Sequence, residues 1–301
     1  MTLEKEILEL KEQKDAVILA HYYVSPEVQA IADFVGDSFY LSKIAVTVKA
    51  RTLVFCGVSF MGESAKILNP EKTVLMPDAT ADCAMAHMAD ANAVAALKAQ
   101  HKDAAVVCYI NSTAALKCLS DVCVTSANAV KIVKALPQKE IIFIPDKNLG
   151  HFVAAQVPDK QFIYNDGYCP VHEKMAAREI EALKQAHPEA KVLVHPECNA
   201  AVLKLADYIG STSGIIHYAT AHDDPAFIIG TEEGVRYQLS QENPQKTFYF
   251  SKTTPVCRDM KLVTLQKIKQ VLETGQNEVQ VPLDIQKQAK APLQKMLALS
   301  K

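Results

Sequence analysis

No run of lysine and arginine forms a basic stripe along the 301 residues, and the formal net charge is only -2. A phosphate backbone finds no general attraction here, so nucleic acid is not an expected partner. No apolar run is long enough to span a bilayer, and residues 1–14 read as a charged amphipathic helix rather than an apolar leader. A cytoplasmic protein without membrane contact is expected. Paired CxxC motifs are also missing, which argues against an ordinary four-ligand structural zinc site. Glycine is badly placed for nucleotides: Gly210-Ser211-Thr212-Ser213-Gly214 lacks the phosphate-loop lysine, and Gly57 to Gly62 does not match the dinucleotide fingerprint. His217 and His222 have no third soft ligand nearby, so zinc is not expected there either.

What remains is a chain 49% hydrophobic, enough to bury a substantial core or several small ones. Short apolar runs alternate with helical patterns, and the runs end in polar turns. Taking His21, Asn111 and His195 as equivalent first-strand exits, the second exits at Gly36, Thr125 and Gly210 follow after about 15 residues. The third exits at Gly57, Asp146 and Gly230 come about 21 residues later, and Cys83, Cys169 and Cys257 about 25 beyond those. Three copies of one α/β unit are therefore expected, each a short four-stranded parallel sheet between helices. The copies are drawn at residues 16–87, 104–172 and 190–258, with residues 1–15 and 259–301 as terminal helices or arms packing on them. After a helix at Thr264 to Glu273, the segment holding Pro282 and Pro292 is expected to be a less regular closing arm.

Loops after parallel strands share one edge, the usual ligand side of such a sheet. Three edges facing a common centre would gather the three exit cysteines, whereas Cys56, Cys108 and Cys123 lie in apolar runs as ordinary buried thiols. Three thiolates with an open position suit a catalytic zinc or a four-iron cluster with one iron free of protein thiolate; inert thiols are the alternative. The same exits carry His21, Tyr22, Tyr23 and Ser38, then Tyr109, Asn111, Ser126 and Asn148, then His172, His195, Glu197, Ser211 and Thr212. Histidine, glutamate and tyrosine move protons, while serine, threonine and asparagine hold carboxylate or phosphate oxygens. A small acidic substrate is expected. Ser126 and Ser211 suit helix capping equally well, and Asp78, Asp82, Asp146 and Asp166 read as caps and turns.

Several of these stretches together resemble the quinolinate synthase family, cluster-containing enzymes of de novo NAD biosynthesis. The resemblance runs from Ile18 to Arg258 and rests on Leu19-Ala20-His21-Tyr22-Tyr23, Ile31 to Ser38, Thr125-Ser126-Ala127-Asn128-Ala129, Cys169-Pro170-Val171-His172, Val194-His195-Pro196-Glu197-Cys198, Gly210 to Gly214 and Ile229-Gly230-Thr231-Glu232. It implies three homologous α/β domains about a pseudo-threefold axis, with one [4Fe-4S] cluster per chain at their junction, held by Cys83, Cys169 and Cys257. The implied reaction condenses iminoaspartate with dihydroxyacetone phosphate to quinolinate, inorganic phosphate and two waters, with the open iron as Lewis acid. Tyr23 and Glu197 then correspond to proton-transfer residues, with His21 and His195 in support and Tyr109 and Asn111 beside the substrate. Ser38, Ser126, Ser211 and Thr212 correspond to anion-binding exits, and His172 to the histidine behind the second cysteine. Cluster-assembly machinery and a functional link to an upstream L-aspartate-oxidising enzyme are implied as partners. The chain departs from some members in three places: one cysteine only at Cys257, which removes a disulfide switch; no lysine in Ile215-Ile216-His217-Tyr218; and Tyr22 where others carry asparagine.

Overall fold

Three aspartates, each one residue ahead of a short strand, make the same connection in the computed structural model, which describes residues 2–301. Asp33, Asp121 and Asp207 each accept at 2.8 Å the N–H of a residue 15 positions earlier, namely Ile18, Val106 and Val192. The N–H of each aspartate donates back to the carbonyl of that same residue. One bond of each pair is charge-assisted, which fixes the return of the chain to its own first strand. A lysine from the preceding helix approaches every one of these carboxylates: Lys11 from Leu3–Gln13, Lys98 from Ala91–Gln100 and Lys184 from Ala177–Ala186, at 2.6, 3.2 and 3.5 Å. Such partly exposed pairs add little stability singly. Their recurrence is the mark of an internal repeat.

The first sheet holds β1 (Ala16–His21), β2 (Phe34–Gly36), β3 (Thr52–Cys56) and β4 (Thr73–Leu75) in the order β2-β1-β3-β4. The second holds β5 (Ala105–Tyr109), β6 (Val122–Val124), β7 (Glu140–Ile144) and β8 (Gln161–Tyr164), ordered β6-β5-β7-β8. The third holds β9 (Lys191–Val194), β10 (Tyr208–Ile209), β11 (Ala226–Gly230) and β12 (Thr247–Phe250), ordered β10-β9-β11-β12. Every pairing is parallel. The expected α/β class with three four-stranded parallel sheets is thus the observed architecture. Central strands covered on both faces need continuous apolar sequence; β5 and β11 are buried at every residue, while β8 and β12 begin on exposed Gln161 and Thr247 at sheet edges.

Apolar packing divides unevenly among the sheets. The third has separate clusters on its two faces, one around Val192, Val194 and Ile228, the other around Leu193, Phe227 and Ile229. The first two share a single continuous core. Their seam is closed by the C-terminal helix Leu283–Leu299, which packs on β6 and on the helices Ser59–Leu68 and Ala114–Cys118. This corrects the expected irregular arm. Proline inside a helix removes one hydrogen bond and crowds the preceding turn, which costs about 3 kcal/mol. Here Pro292 is itself buried, with Ala289, Leu293 and Met296 fully so, and burial of large side chains at about 1.5–3 kcal/mol each offsets that cost.

Candidate functional site

The strand exits of all three sheets wall one cavity. Its lining includes His21, Tyr23 and Ser38 from the first sheet, Tyr109, Asn111 and Ser126 from the second, and His195, Glu197 and Thr212 from the third. Cys83, Cys169, His172 and Cys257 line it too. Of the polar exit residues singled out by sequence, Tyr22, Asn148 and Ser211 do not line it, and Ser211 has another task. Its hydroxyl accepts the N–H of Gly214 at 3.1 Å and caps the helix Thr212–Ala221, which leaves Thr212 to face the cavity.

His21 and His195 end equivalent strands and are held in the same way. Each Nδ1 accepts the backbone N–H two residues on, from Tyr23 at 3.1 Å and from Glu197 at 3.3 Å. That fixes the proton on Nε2. Burial lowers both pKa values to about 3, so both rings are neutral donors near pH 7. The Nε2 of His195 lies 3.2 Å from the Ser126 hydroxyl, and that of His21 is left to the cavity.

Glu197 is almost fully buried, at 4% exposure, yet has donors for both oxygens. The Tyr109 hydroxyl donates to Oε1 at 2.6 Å, and His172 Nδ1 stands 2.8 Å from Oε2. Burial pushes this carboxyl upward, but His195 beside it and the bonds from His172 and Tyr109 outweigh that and hold it below the usual range. Because His195 is uncharged near neutrality, the two donated bonds are the cause we assign. Asn148 steadies the backbone here, its Nδ2 donating to the Glu197 carbonyl at 3.0 Å and to Glu173 at 2.8 Å.

From His172 the contacts continue across the cavity. His172 Nε2 lies 2.9 Å from the Thr231 hydroxyl, Thr231 lies 2.8 Å from the Tyr23 hydroxyl, and Tyr23 lies 2.8 Å from that of Thr212. Each of these hydroxyl contacts can be donated from either side, and a chain of donors that ends on the Glu197 carboxylate runs from Thr212 to Tyr23, Thr231, His172 and Glu197. Burial, reinforced by the charge of Glu197, raises the phenols of Tyr23 and Tyr109 well above their ordinary value. Thr231 is wholly buried and central to this chain, and sequence reasoning did not single it out. Its signals were its place one residue past a third-strand exit and its membership of the Ile229-Gly230-Thr231-Glu232 stretch.

The three exit thiols are free and partly exposed, unlike the buried Cys56, Cys108, Cys123 and Cys198. Burial, aided by Glu197 and Cys257, pushes Cys83 up to about 12; burial, aided by Glu197 and Cys83, pushes Cys169 well above the ordinary thiol value; and burial pushes Cys257 up to about 11. Three soft donors that resist ionisation alone, set around one cavity, fit a cationic metal centre that would draw them into the thiolate form. Cys169, His172 and Glu197 also bring one ligand atom each within 4.8 Å of one another. There His172 Nδ1 stands 2.8 Å from Glu197 Oε2 and is also hydrogen-bonded to Cys169 Sγ at 3.3 Å. Two buried oxygens, Asp37 Oδ2 and Asn111 Oδ1, have no protein donor and border the same space, as a polar ligand requires.

A cavity at the carboxyl edges of three parallel sheets, combining soft thiols, an ionised carboxylate and oriented proton carriers, defines a small-molecule site built for a thiolate-held metal centre. Comparison with known proteins narrows the class. The family model described as NadA, quinolinate synthetase A protein, matches residues 5–298. A quinolinate synthase of Clostridioides difficile is 54% identical over 287 residues, covering 95% of this chain and 94% of the relative. Those of Sulfurihydrogenibium sp. and Aquifex aeolicus are each 50% identical over 303 residues, covering 99% of this chain and 98% and 94% of the relatives. The chain belongs to the quinolinate synthetase A family. No helix among the described residues is long and apolar enough to cross a membrane.

Proposed function

We propose that this chain is a quinolinate synthase that condenses iminoaspartate with dihydroxyacetone phosphate, releasing inorganic phosphate and two waters, and carries one [4Fe-4S] cluster on Cys83, Cys169 and Cys257. The observation that carries this reading is the delivery of three exit thiols and one continuous run of short polar contacts, from Thr212 to Glu197, to a single cavity. When bound, the cluster supplies a Lewis-acidic iron for a substrate carboxylate or hydroxyl.

The protein groups divide the remaining work by charge and orientation. His21 offers a neutral N–H to the cavity, suited to a carboxylate or phosphate oxygen, and His195 turns its own toward Ser126. Ser38 and Thr212 begin ten-residue helices, whose first amides favour anions. Tyr23 cannot act as a base alone, because its phenol is pushed far above neutrality. The relay resolves this. A substrate proton arriving at the Tyr23 oxygen displaces the phenolic proton to Thr231, which passes its own to His172 Nε2 as Nδ1 releases one to Glu197. The net acceptor is the carboxylate, and the sequence reverses when a leaving hydroxyl needs a proton. Tyr109 stabilises the carboxylate between these events.

The test is iron, acid-labile sulfide and zinc per chain after anaerobic purification, followed by quinolinate formation from the two substrates. About four irons and four sulfides with turnover are expected. Stoichiometric zinc without sulfide, or a full cluster without quinolinate, would overturn the proposal.

A further inference from the structure

Two buried acids that no step of the relay uses each hold the backbone of a cysteine. Asp146, at the exit of β7, is wholly buried; its Oδ1 accepts the N–H of Leu149 at 2.8 Å and its Oδ2 accepts the N–H of Cys169 at 3.1 Å. Glu232, two residues past β11, is wholly buried as well; its Oε2 accepts the N–H of Gly234 at 2.6 Å and its Oε1 the N–H of Cys257 at 3.0 Å. The two acids stand at equivalent exits and reach the cysteine that follows the next strand of the same sheet. One oxygen is spent locally and the other on the cysteine. At the corresponding exit of the first sheet stands Ser59, whose hydroxyl bonds Asp82, the residue before Cys83.

We infer that Asp146 and Glu232 are positioning residues for the metal-ligand cysteines, each fixing the direction of a thiol by capturing the amide of the residue that carries it. This rests on the cluster reading above. The acid holds the peptide plane that enters the cysteine, which narrows the directions in which its Cα–Cβ bond can leave the loop. The backbone around Cys169 is crowded to match: a side chain at Gly167 would place its Cβ 2.6 Å from the Pro145 carbonyl oxygen. In the third sheet the clamp reaches further. Lys261 lies 3.0 Å from Glu232 Oε1 and donates to the Tyr23 carbonyl at 2.5 Å, so the acid that holds Cys257 also ties down the backbone of the relay tyrosine. A captured amide also cannot turn toward sulfur, and N–H bonds to cluster sulfurs tune the reduction potential.

A carboxylate can accept two backbone N–H groups, and an amide side chain can accept only on its oxygen and sets a donor against the other. Asp146→Asn and Glu232→Gln therefore keep the shape and lose one contact each. Both variants, with the exposed Asp166→Asn as control, are purified anaerobically and compared for folding by circular dichroism, rate of iron loss to a ferrous chelator, and cluster midpoint potential. Expected are parent-like folding, iron loss at least about tenfold faster, corresponding to one lost buried hydrogen bond, an upward shift in potential, and no change in the control. Clusters that persist as long as in the parent and at the same potential would overturn the inference. Should a variant fail to fold, hydrogen exchange of the parent chain decides: the Cys169 and Cys257 amides must exchange more slowly than those of Asp166 and Val256, and equal rates refute the clamp. Absence of any cluster in the parent would strike the functional proposal, while the exchange measurement still judges the clamp.

Discussion

Replacing Glu197 by glutamine is the most direct challenge to the relay, because the change is isosteric and falls where all the donors converge. The carboxylate accepts from Tyr109 at 2.6 Å and faces His172 at 2.8 Å. Glutamine can accept only one of these, and its NH2 meets the other donor head-on. An unpaired buried donor costs about 1–3 kcal/mol, which in a chain this long lowers the unfolding temperature by only about 2–8 °C. The catalytic loss is larger, since the variant has no carboxylate to end the relay; loss of a general base lowers kcat by about 10²–10⁴. No cysteine is touched, so iron and sulfide per chain stay at the parent value. The assay is anaerobic quinolinate formation from iminoaspartate and dihydroxyacetone phosphate, with product separated chromatographically. Tyr109→Phe acts on the same carboxylate, so the double variant should be scarcely worse than Glu197→Gln alone. A kcat within about threefold of the parent would refute the assignment of Glu197 as terminal acceptor.

Thr231→Val keeps the shape but removes the hydroxyl between Tyr23 and His172; quinolinate turnover should fall by about ten- to a hundredfold with cluster content unchanged, a loss of about 1.4–2.8 kcal/mol. Acid should destabilise the metal-free chain through His21 and His195. Their folded pKa values, about 3, lie below the unfolded value of 6.5, so the unfolded state binds the extra protons; the stability they give is complete above pH 6.5 and is lost as pH falls toward 3. Urea unfolding between pH 6 and 5 should show a slope of about 2–3 kcal/mol per pH unit from this pair, and His21→Asn should roughly halve it. Asp121→Asn removes the charge from one of the three strand-closing bonds, and calorimetry should show a loss of about 1–2 kcal/mol without effect on turnover.

The strands were legible because buried parallel strands are written as short apolar runs, and the copies because each run ends in a polar turn at matching intervals. What defeated reading was contact between distant residues. Pro292 signals the end of a helix by every local rule, yet the seam between the first two sheets holds it inside one. Ser211 and Thr212 are chemically alike neighbours, and only helix geometry decides which caps and which faces the cavity. Thr231 shows the limit most clearly. A threonine advertises no charge and no metal affinity, and its importance lies in touching Tyr23, 208 residues away, and His172, 59 away.

The same long contacts explain why a repeated unit yields a site without repeated chemistry. Each copy brings a first-strand exit and a cysteine to the centre, but the partners diverge: His21 and His195 keep the same tautomer lock, while the second copy presents Tyr109 and Asn111 instead. The carboxylate comes from the third copy, its partners Tyr109 and His172 from the second, and the relay's phenol from the first. No copy can make the path alone. The relay therefore exists only while the three sheets are docked, and loosening any one of them must cost proton transfer before it costs the fold of that sheet.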